Sequence, residues 1–594
     1  MSANLPPLAP ALHKALLAGS RRAPLKAPDL GACAEIADLL QSAAQEANPA
    51  LLWQAMAAND LWQRAGFTPT TSSAHAIPGA PSGRSMPAAN PDSRHCPPAA
   101  EHILHLILRG IHAELLETWL ARAGQAQARL PHQFLVTLLQ DGMNKPHLHD
   151  LITPLLDARG HWLVAQHPEW SRRYGTVEAD DIESQWQHGN QIDRMRALRV
   201  MREREQERAT EREHERAHEG ENKASAARAR LEADWASEAP ENRAQLLTCL
   251  AVNLSPDDEA FLEAALDDKR KEVRMAAINL LRSMSGSQLM QRCQQRLQAL
   301  FRIERKTGLV AQIGGLLAQL SSAANAAPNQ IELHLSLPDA CDKAMKRDGV
   351  GAQKLNGLGE KAGWLCDLMR SSHPGFWCQQ WQLGPAQVLA LLGQQEFKGP
   401  LHSAIAQAAA SALQYRANQE NCDWFALVLS HIGAGWPGFD YGLLPDLMQH
   451  FTLLPDAMQE KLLLQWLEQS SQPGAHQRHP EIAISNPAQA MLNQWSQQRS
   501  SSQPLSKTLS QAFFQHAQSA LHNHDKPFFH EWEIRHRFKQ LSEWLDIASL
   551  DYTQHGWPGT SWPHWPQWLD AIDKFHETLR FRHQLEASFL ETEQ

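Results

Sequence analysis

Tyrosine is scarce in this chain, with 4 Tyr against 20 Trp in 594 residues. No run of eighteen apolar residues occurs, so no membrane-spanning helix is expected. The 8 cysteines (Cys33, Cys96, Cys249, Cys293, Cys341, Cys366, Cys378, Cys422) form no C-x-x-C pair. That argues against a zinc knuckle or a disulfide frame and predicts buried thiols in a reducing compartment. The start, "MSANLPPLAPALHKALLAGSRRAP", lacks a basic leader ahead of a long apolar run, so a cytoplasmic location is expected. Cationic excess is missing too. A net charge of −10 argues against a broad phosphate footprint, and nucleic acid is not the expected partner. The spacings G-x-x-x-x-G-K-[ST], H-E-x-x-H and G-x-S-x-G and the kinase set are all absent. No enzyme activity, cofactor or metal is therefore expected.

What is present is a soluble folded composition, 43% apolar and 20% charged. At this length one core cannot serve the whole chain, so several domains or an elongated array are expected. Apolar residues recur three and four apart, the helical period, almost throughout. Residues 1–67 read as an N-terminal helical segment, and 68–100, dense in Pro, Ser, Ala and Gly, as a flexible linker. A helical region follows over 101–200, then a charged helical extension over 201–225. Helical hairpins occupy 226–325, further helices 326–470, and a C-terminal helical region with polar loops 471–594. The segment 288–304 reads as one helix, as does 307–324. Only "IELHLSL" (331–337) alternates like a strand, and without a visible partner it reads as an extended connection.

Two stretches repeat. "EREQERATEREHERAH" (203–218) is one octad written twice. On a helix it aligns Arg204, Arg208, Arg212 and Arg216 in a column, with glutamates interleaved. It reads as a solvated extension, or as an arm that recruits a partner. The second repeat has a period of 31 residues. "ARLEADWASEAPENRAQLLTCLA" (229–251) falls on "AFLEAALDDKRKEVRMAAINLLR" (260–282), each copy a helix, a polar turn and a second helix. Ser255 as N-cap, Pro256 at the first helical position and Asp257 and Asp258 in the first turn open the second copy. Small Ala276 and Ala277 let helices approach, while Leu262, Ile278 and Leu281 fill the layer between them. One helix pair cannot bury its own face, so neighbours must stack.

Other candidates carry weaker signals. In "RDGVGAQKLNGLGEKAGWL" (347–365), Gly357 and Gly359 followed by Lys361 present amides and an ammonium that suit an anion. The competing interpretation is a turn with glycine at positive φ feeding a helix. His147, His149, His161 and His167, and a later group of His522, His524, His530 and His536, lack any finger spacing and read as solvated or capping histidines. Exposed Trp and Arg are the expected anchors of any partner surface.

The second copy resembles a HEAT repeat: Asp267 or Asp268 near the turn, Val273-Arg274 opening the second helix, then "AAINLL" (276–281). The resemblance implies that this Asp and Arg link adjoining repeats. The first copy departs from the pattern, with Asn242 for Val and Ser237 near the Asp position. Further phrases, "ARGHWLVAQHPEW" (158–170), "RARLEADW" (228–235), "DDEAFLEAALDDKRKEVRMAAINLLRSM" (257–284) and "KRDGVGAQKLNGLGEKAGWLCDLM" (346–369), resemble the uncharacterised bacterial domain-of-unknown-function 5691 family. That resemblance implies a cytoplasmic, HEAT-like protein and supplies no catalytic residues. Its relatives are often encoded beside a SWIM zinc-finger protein, a MoxR-type AAA ATPase and a von Willebrand A protein. The expectation is thus an all-α chain, an α-solenoid of HEAT-like repeats with irregular flanking helices. It would act as a scaffold or adaptor for protein partners, the AAA ATPase and the von Willebrand A protein among them. The rivals are a helical-repeat protein that binds nucleic acid and a metal- or phosphate-dependent enzyme.

Overall fold

Helical spacing becomes helix in nearly every described segment. The computed structural model describes residues 95–174, 179–215, 225–305, 331–352, 358–471, 486–499, 503–522, 538–557 and 565–590. The side chains of 146, 172, 179–181, 208–215, 471, 520–522, 549–550, 565 and 567 lie outside that description. All of these residues belong to one unit, Pro87–Gln594; the other unit, Met1–Met86, falls outside the described residues. The expected N-terminal helices, the helix over 307–324 and most of the linker fall outside them as well.

Helix α1 (Pro98–Leu108) begins inside the range read as linker, with its proline at the first turn where a missing N–H costs nothing. It is followed by α2 (Leu116–Gln125) and, further on, α3 (Ala158–Gln166). Next come α4 (Ala179–His188) and the long α5 (Gln191–Glu215), which contains the start of the charged octads. Two hairpins follow at the repeated stretch: α6 (Ala226–Asp234) with α7 (Pro240–Cys249), and α8 (Glu259–Ala265) with α9 (Lys271–Ser283). Ser255 and Asp258 close a capping box ahead of α8, with Pro256 at the first position. Helix α10 (Gln288–Leu300) is opened by Ser287, whose Oγ accepts from the Met290 N–H at 3.2 Å and donates to the Leu281 carbonyl at 2.7 Å.

Two segments differ from the sequence expectation. The helix read over 288–304 stops at Leu300, and Phe301–Arg305 form strand β1. The segment read as an unpartnered connection is strand β2 (Ile331–Leu335), antiparallel to β1 with Phe301 opposite Leu335. Phe301 is the cause of the break, because its ring seats against Trp377 at 4.7 Å and Trp381 at 5.9 Å. An extended backbone reaches that pocket while pairing its amides with β2.

Helices α11 (Lys343–Arg347) and α12 (Glu360–Arg370) lead into α13 (Lys398–Tyr415) and α14 (Gln419–Gly433). Later helices of the unit include α15 (Asp456–Ser471), α16 (Pro487–Gln498), α17 (Lys507–His522) and α18 (Trp565–Leu590). Among the described residues no helix is long and apolar enough to cross a membrane. The apolar interior forms two clusters. One runs from Ile182 to Leu579; the other joins Ala100–Tyr174 to Phe581, Leu585 and Phe589. Helix α18 serves both. Trp568, Ile572, Phe575 and Leu579 make one stripe, and Phe581 lies two positions, roughly 200°, further round the helix. The end of the unit therefore packs on its beginning, with Trp119 against Phe589 at 5.5 Å and Arg122 paired with Glu586 at 2.8 Å.

Most of the described tryptophans are core residues. Trp119, Trp186, Trp377, Trp466 and Trp568 are among the largest fully buried side chains, and among the described residues no Trp is exposed. The expectation of exposed tryptophan anchors fails for all of these. A large ring with a single donor contributes most where its apolar area leaves water.

Candidate functional site

The repeated stretch folds as two hairpins whose second helices lie against each other, α7 on α9. Val273, Leu262 and Leu281 are wholly buried and Ile278 nearly so, in the larger cluster. Burying each such side chain contributes about 1.5–3 kcal/mol. Asp268 ties one hairpin to the other: its Oδ2 accepts from Arg243 Nη1 of α7 at 2.7 Å. The Arg243 guanidinium also lies 5.6 Å from the Trp235 ring centre. Asp268 Oδ1 accepts the Arg270 N–H at 2.8 Å, shaping its own turn. Arg274 bonds within that turn, donating to the carbonyls of Asp268 at 2.7 Å and Lys269 at 3.0 Å. Glu272 is exposed, as are Lys269, Arg270 and Lys271 at the tip.

Asp267 points the other way. It accepts from Arg347 Nε at 2.8 Å and Nη2 at 2.9 Å across 80 residues of sequence. The bond from Arg347 holds the Asp267 carboxyl below its usual range, and the same pair holds the guanidinium proton more tightly. Arg347 also reaches Glu263 at 3.0 Å, and Glu263 accepts from Arg292 at 2.9 Å. Asp348, 1% exposed, takes Arg292 Nη2 at 2.6 Å and Arg296 Nη1 at 2.6 Å. Burial works against the charge on Arg292, but the bonds to Asp348 and Glu263 outweigh it and raise its pKa. Three guanidiniums and three carboxylates thus join α8, α10 and the end of α11. Gly349 sits here at φ +84°, and a Cβ on it would fall 2.7 Å from Ile278 Cδ1. The family-like phrases at 257–284 and 346–369 are therefore one joint in space.

A second buried pair anchors the charged extension. Arg202 donates to Asp258 Oδ2 at 2.7 Å and to the carbonyls of Val252 at 2.8 Å and Asn253 at 2.7 Å. Sequence reasoning assigned Asp258 to its helix start alone. It fills that role, accepting the Ser255 N–H at 3.0 Å, and serves as the counter-ion of Arg202 as well. Arg202 stands one residue before the octads and carries no sequence signal that separates it from its exposed neighbours.

Of the anion candidates, Gly357 lies outside the described residues. Gly359 precedes α12 with an ordinary φ of −64°, and Lys361 is half exposed, 3.9 Å from Asp339. Among the described residues of this stretch, the positive-φ glycines are Gly349 and Gly351. Gly351 donates its N–H to Asp367 at 2.8 Å. Two histidines of the first group pair locally. His147 pairs with Glu117 at 3.0 Å, while His149 takes Asp150 at 2.9 Å and stacks on Tyr174. His524, His530 and His536 lie outside the described residues. Among the described residues no group of three or more His, Cys, Asp or Glu is placed to hold a metal ion.

A family model described as a family of unknown function, DUF5691, matches residues 11–589. No curated protein and no solved structure matches the chain.

Proposed function

The chain belongs to this family of unknown function, and from the geometry of its hairpins we propose that it is a non-enzymatic scaffold or adaptor. Its HEAT-like hairpins stack as a solenoid and offer a flank to protein partners in the cytoplasm. The observation that supports this reading most is the joint itself. Asp268–Arg243 fixes hairpin to hairpin, and Asp267–Arg347 fixes the pair to the following helices. A rigid frame of this kind limits the ordering entropy that a partner must offset on binding. Lys269, Arg270 and Lys271, exposed at the tip of the joint, supply charge for an acidic surface. The partner classes are those the family resemblance implies, a MoxR-type AAA ATPase and a von Willebrand A protein.

The test is co-elution of the full chain with each such protein from the same genome. Binding is expected to at least one. The triple variant Lys269→Glu, Arg270→Glu, Lys271→Glu should weaken it about tenfold or more, with an unchanged circular dichroism spectrum. Failure of every such protein to bind, or full binding by the triple variant, contradicts the reading.

A further inference from the structure

The β1–β2 hairpin takes no part in the joint, and its two edges differ. Ser336 donates its N–H to the Leu300 carbonyl at 2.9 Å, which fixes the alternation of the ladder. In an antiparallel pair, bonded and unbonded residue pairs alternate. Arg302–His334 and Glu304–Glu332 are therefore the bonded pairs. The backbone groups of Phe301, Ile303 and Arg305 point away from β2, and those of Ile331, Leu333 and Leu335 point away from β1. On the β2 edge the Leu333 carbonyl accepts from Gln395 Nε2 at 3.1 Å. On the β1 edge, nothing among the described residues bonds to the backbone N–H or C=O of Ile303 or Arg305. The Phe301 N–H goes to the Leu297 carbonyl. Phe301 and Ile303 pack their side chains into the larger cluster, while Arg302 and Glu304 stand exposed on the opposite face. Across the hairpin Glu304 faces Glu332, a like-charge pair, and its ion-pair contact is His334 Nε2 at 3.5 Å.

We propose that the β1 edge pairs with the β1 edge of a second copy of this chain, antiparallel and centred on Ile303, so that two hairpins join in one four-stranded sheet. A row of unpaired backbone groups is a template for another strand. The outward-facing residues must exchange the bonds, so Ile303 meets Ile303 of the other copy, and each Arg305 N–H meets the other's Phe301 carbonyl. In that register each Arg302 lies opposite the other copy's Glu304, which gains a cation on the side away from Glu332. Registers centred on Arg302 or on Glu304 would instead set like charges face to face. Charges on an edge ordinarily repel a further strand, but here the two signs are spaced to attract in one register and to block its neighbours. The surface is small, so the dimer is a reversible one. It is independent of the scaffold reading and stands or falls without it.

Sedimentation velocity of the full chain tests it, with a reversible dimer expected between about 1 and 100 μM. Arg302→Glu and Glu304→Arg each place like charges across the seam and should each weaken dimerisation about tenfold or more. Mixed in equal amounts, the two variants should dimerise with each other, because every charge then meets its opposite. In the unaltered chain, amide exchange at 303–305 should slow as concentration rises through the dimer range, a readout that does not depend on any variant folding. A chain that stays monomeric to about 100 μM, or exchange at 303–305 that ignores concentration, overturns the proposal. So does a dimer that both variants leave intact. Failure of the mixed, folded variants to associate overturns the register.

Discussion

At the scale of the residue, the joint depends on a few side chains with no slack. Gly349 is at φ +84° with Ile278 Cδ1 in the space a Cβ would take. Gly349→Ala should cost about 2–4 kcal/mol, summing a left-handed penalty and an overpacking term. In an Ile278→Val background, which deletes the clashing methyl, the same change should cost less; urea unfolding of the four proteins measures the difference. Asp348→Asn leaves Arg292 and Arg296 facing a neutral amide. Breaking a buried pair costs 3–5 kcal/mol, and since both guanidiniums are about a quarter exposed, about 3 kcal/mol is expected from the urea midpoint. These residues were not legible beforehand. A letter R or D announces charge but not its partner, and Arg347 finds Asp267 across 80 positions.

At the scale of the element, the hairpins were the most legible part. Ser255, Pro256 and the acids of the first turn satisfy orphan amides within the element itself, so local sequence carries the whole signal. Strand β1 was not legible, because Phe301–Arg305 continue the apolar rhythm of α10 and their pairing depends on a segment some thirty residues on. Helix α18 is a prediction at this scale. Phe589 is buried against Trp119, and Phe589→Ala should cost about 3–5 kcal/mol. Because that ring sits in the smaller cluster, amide exchange should quicken in α1 and α2 and stay unchanged in α7 and α9. Equal quickening in all four helices would show that α18 does not divide its two faces between two cores.

At the scale of the whole molecule, two titratable groups, half-buried Glu543 and buried His402, set opposite limits on stability. Burial, followed by Glu114 and Glu117, pushes the Glu543 carboxyl up to about 7, against Lys539 and Arg582. The folded chain then holds that proton more tightly than the unfolded one, whose value is 4.5. Its contribution is fully present below 4.5 and is lost as pH rises through 7. His402, stacked on Trp436 at 4.0 Å, is pushed down to about 4 by burial. Its contribution is present above 6.5 and is lost as pH falls toward 4. Glu543→Gln should therefore flatten the melting temperature between pH 5 and 7.5, measured beside the unaltered chain. A decline over that range equal to that of the unaltered chain would rule out Glu543 as its source.

The scaffold account is most directly tested by hydrogen–deuterium exchange of the full chain, alone and with any MoxR-type ATPase or von Willebrand A protein that co-elutes with it. Protection is predicted over 267–272 and the exposed faces of α7 and α9. Protection elsewhere with none on these hairpins would contradict it.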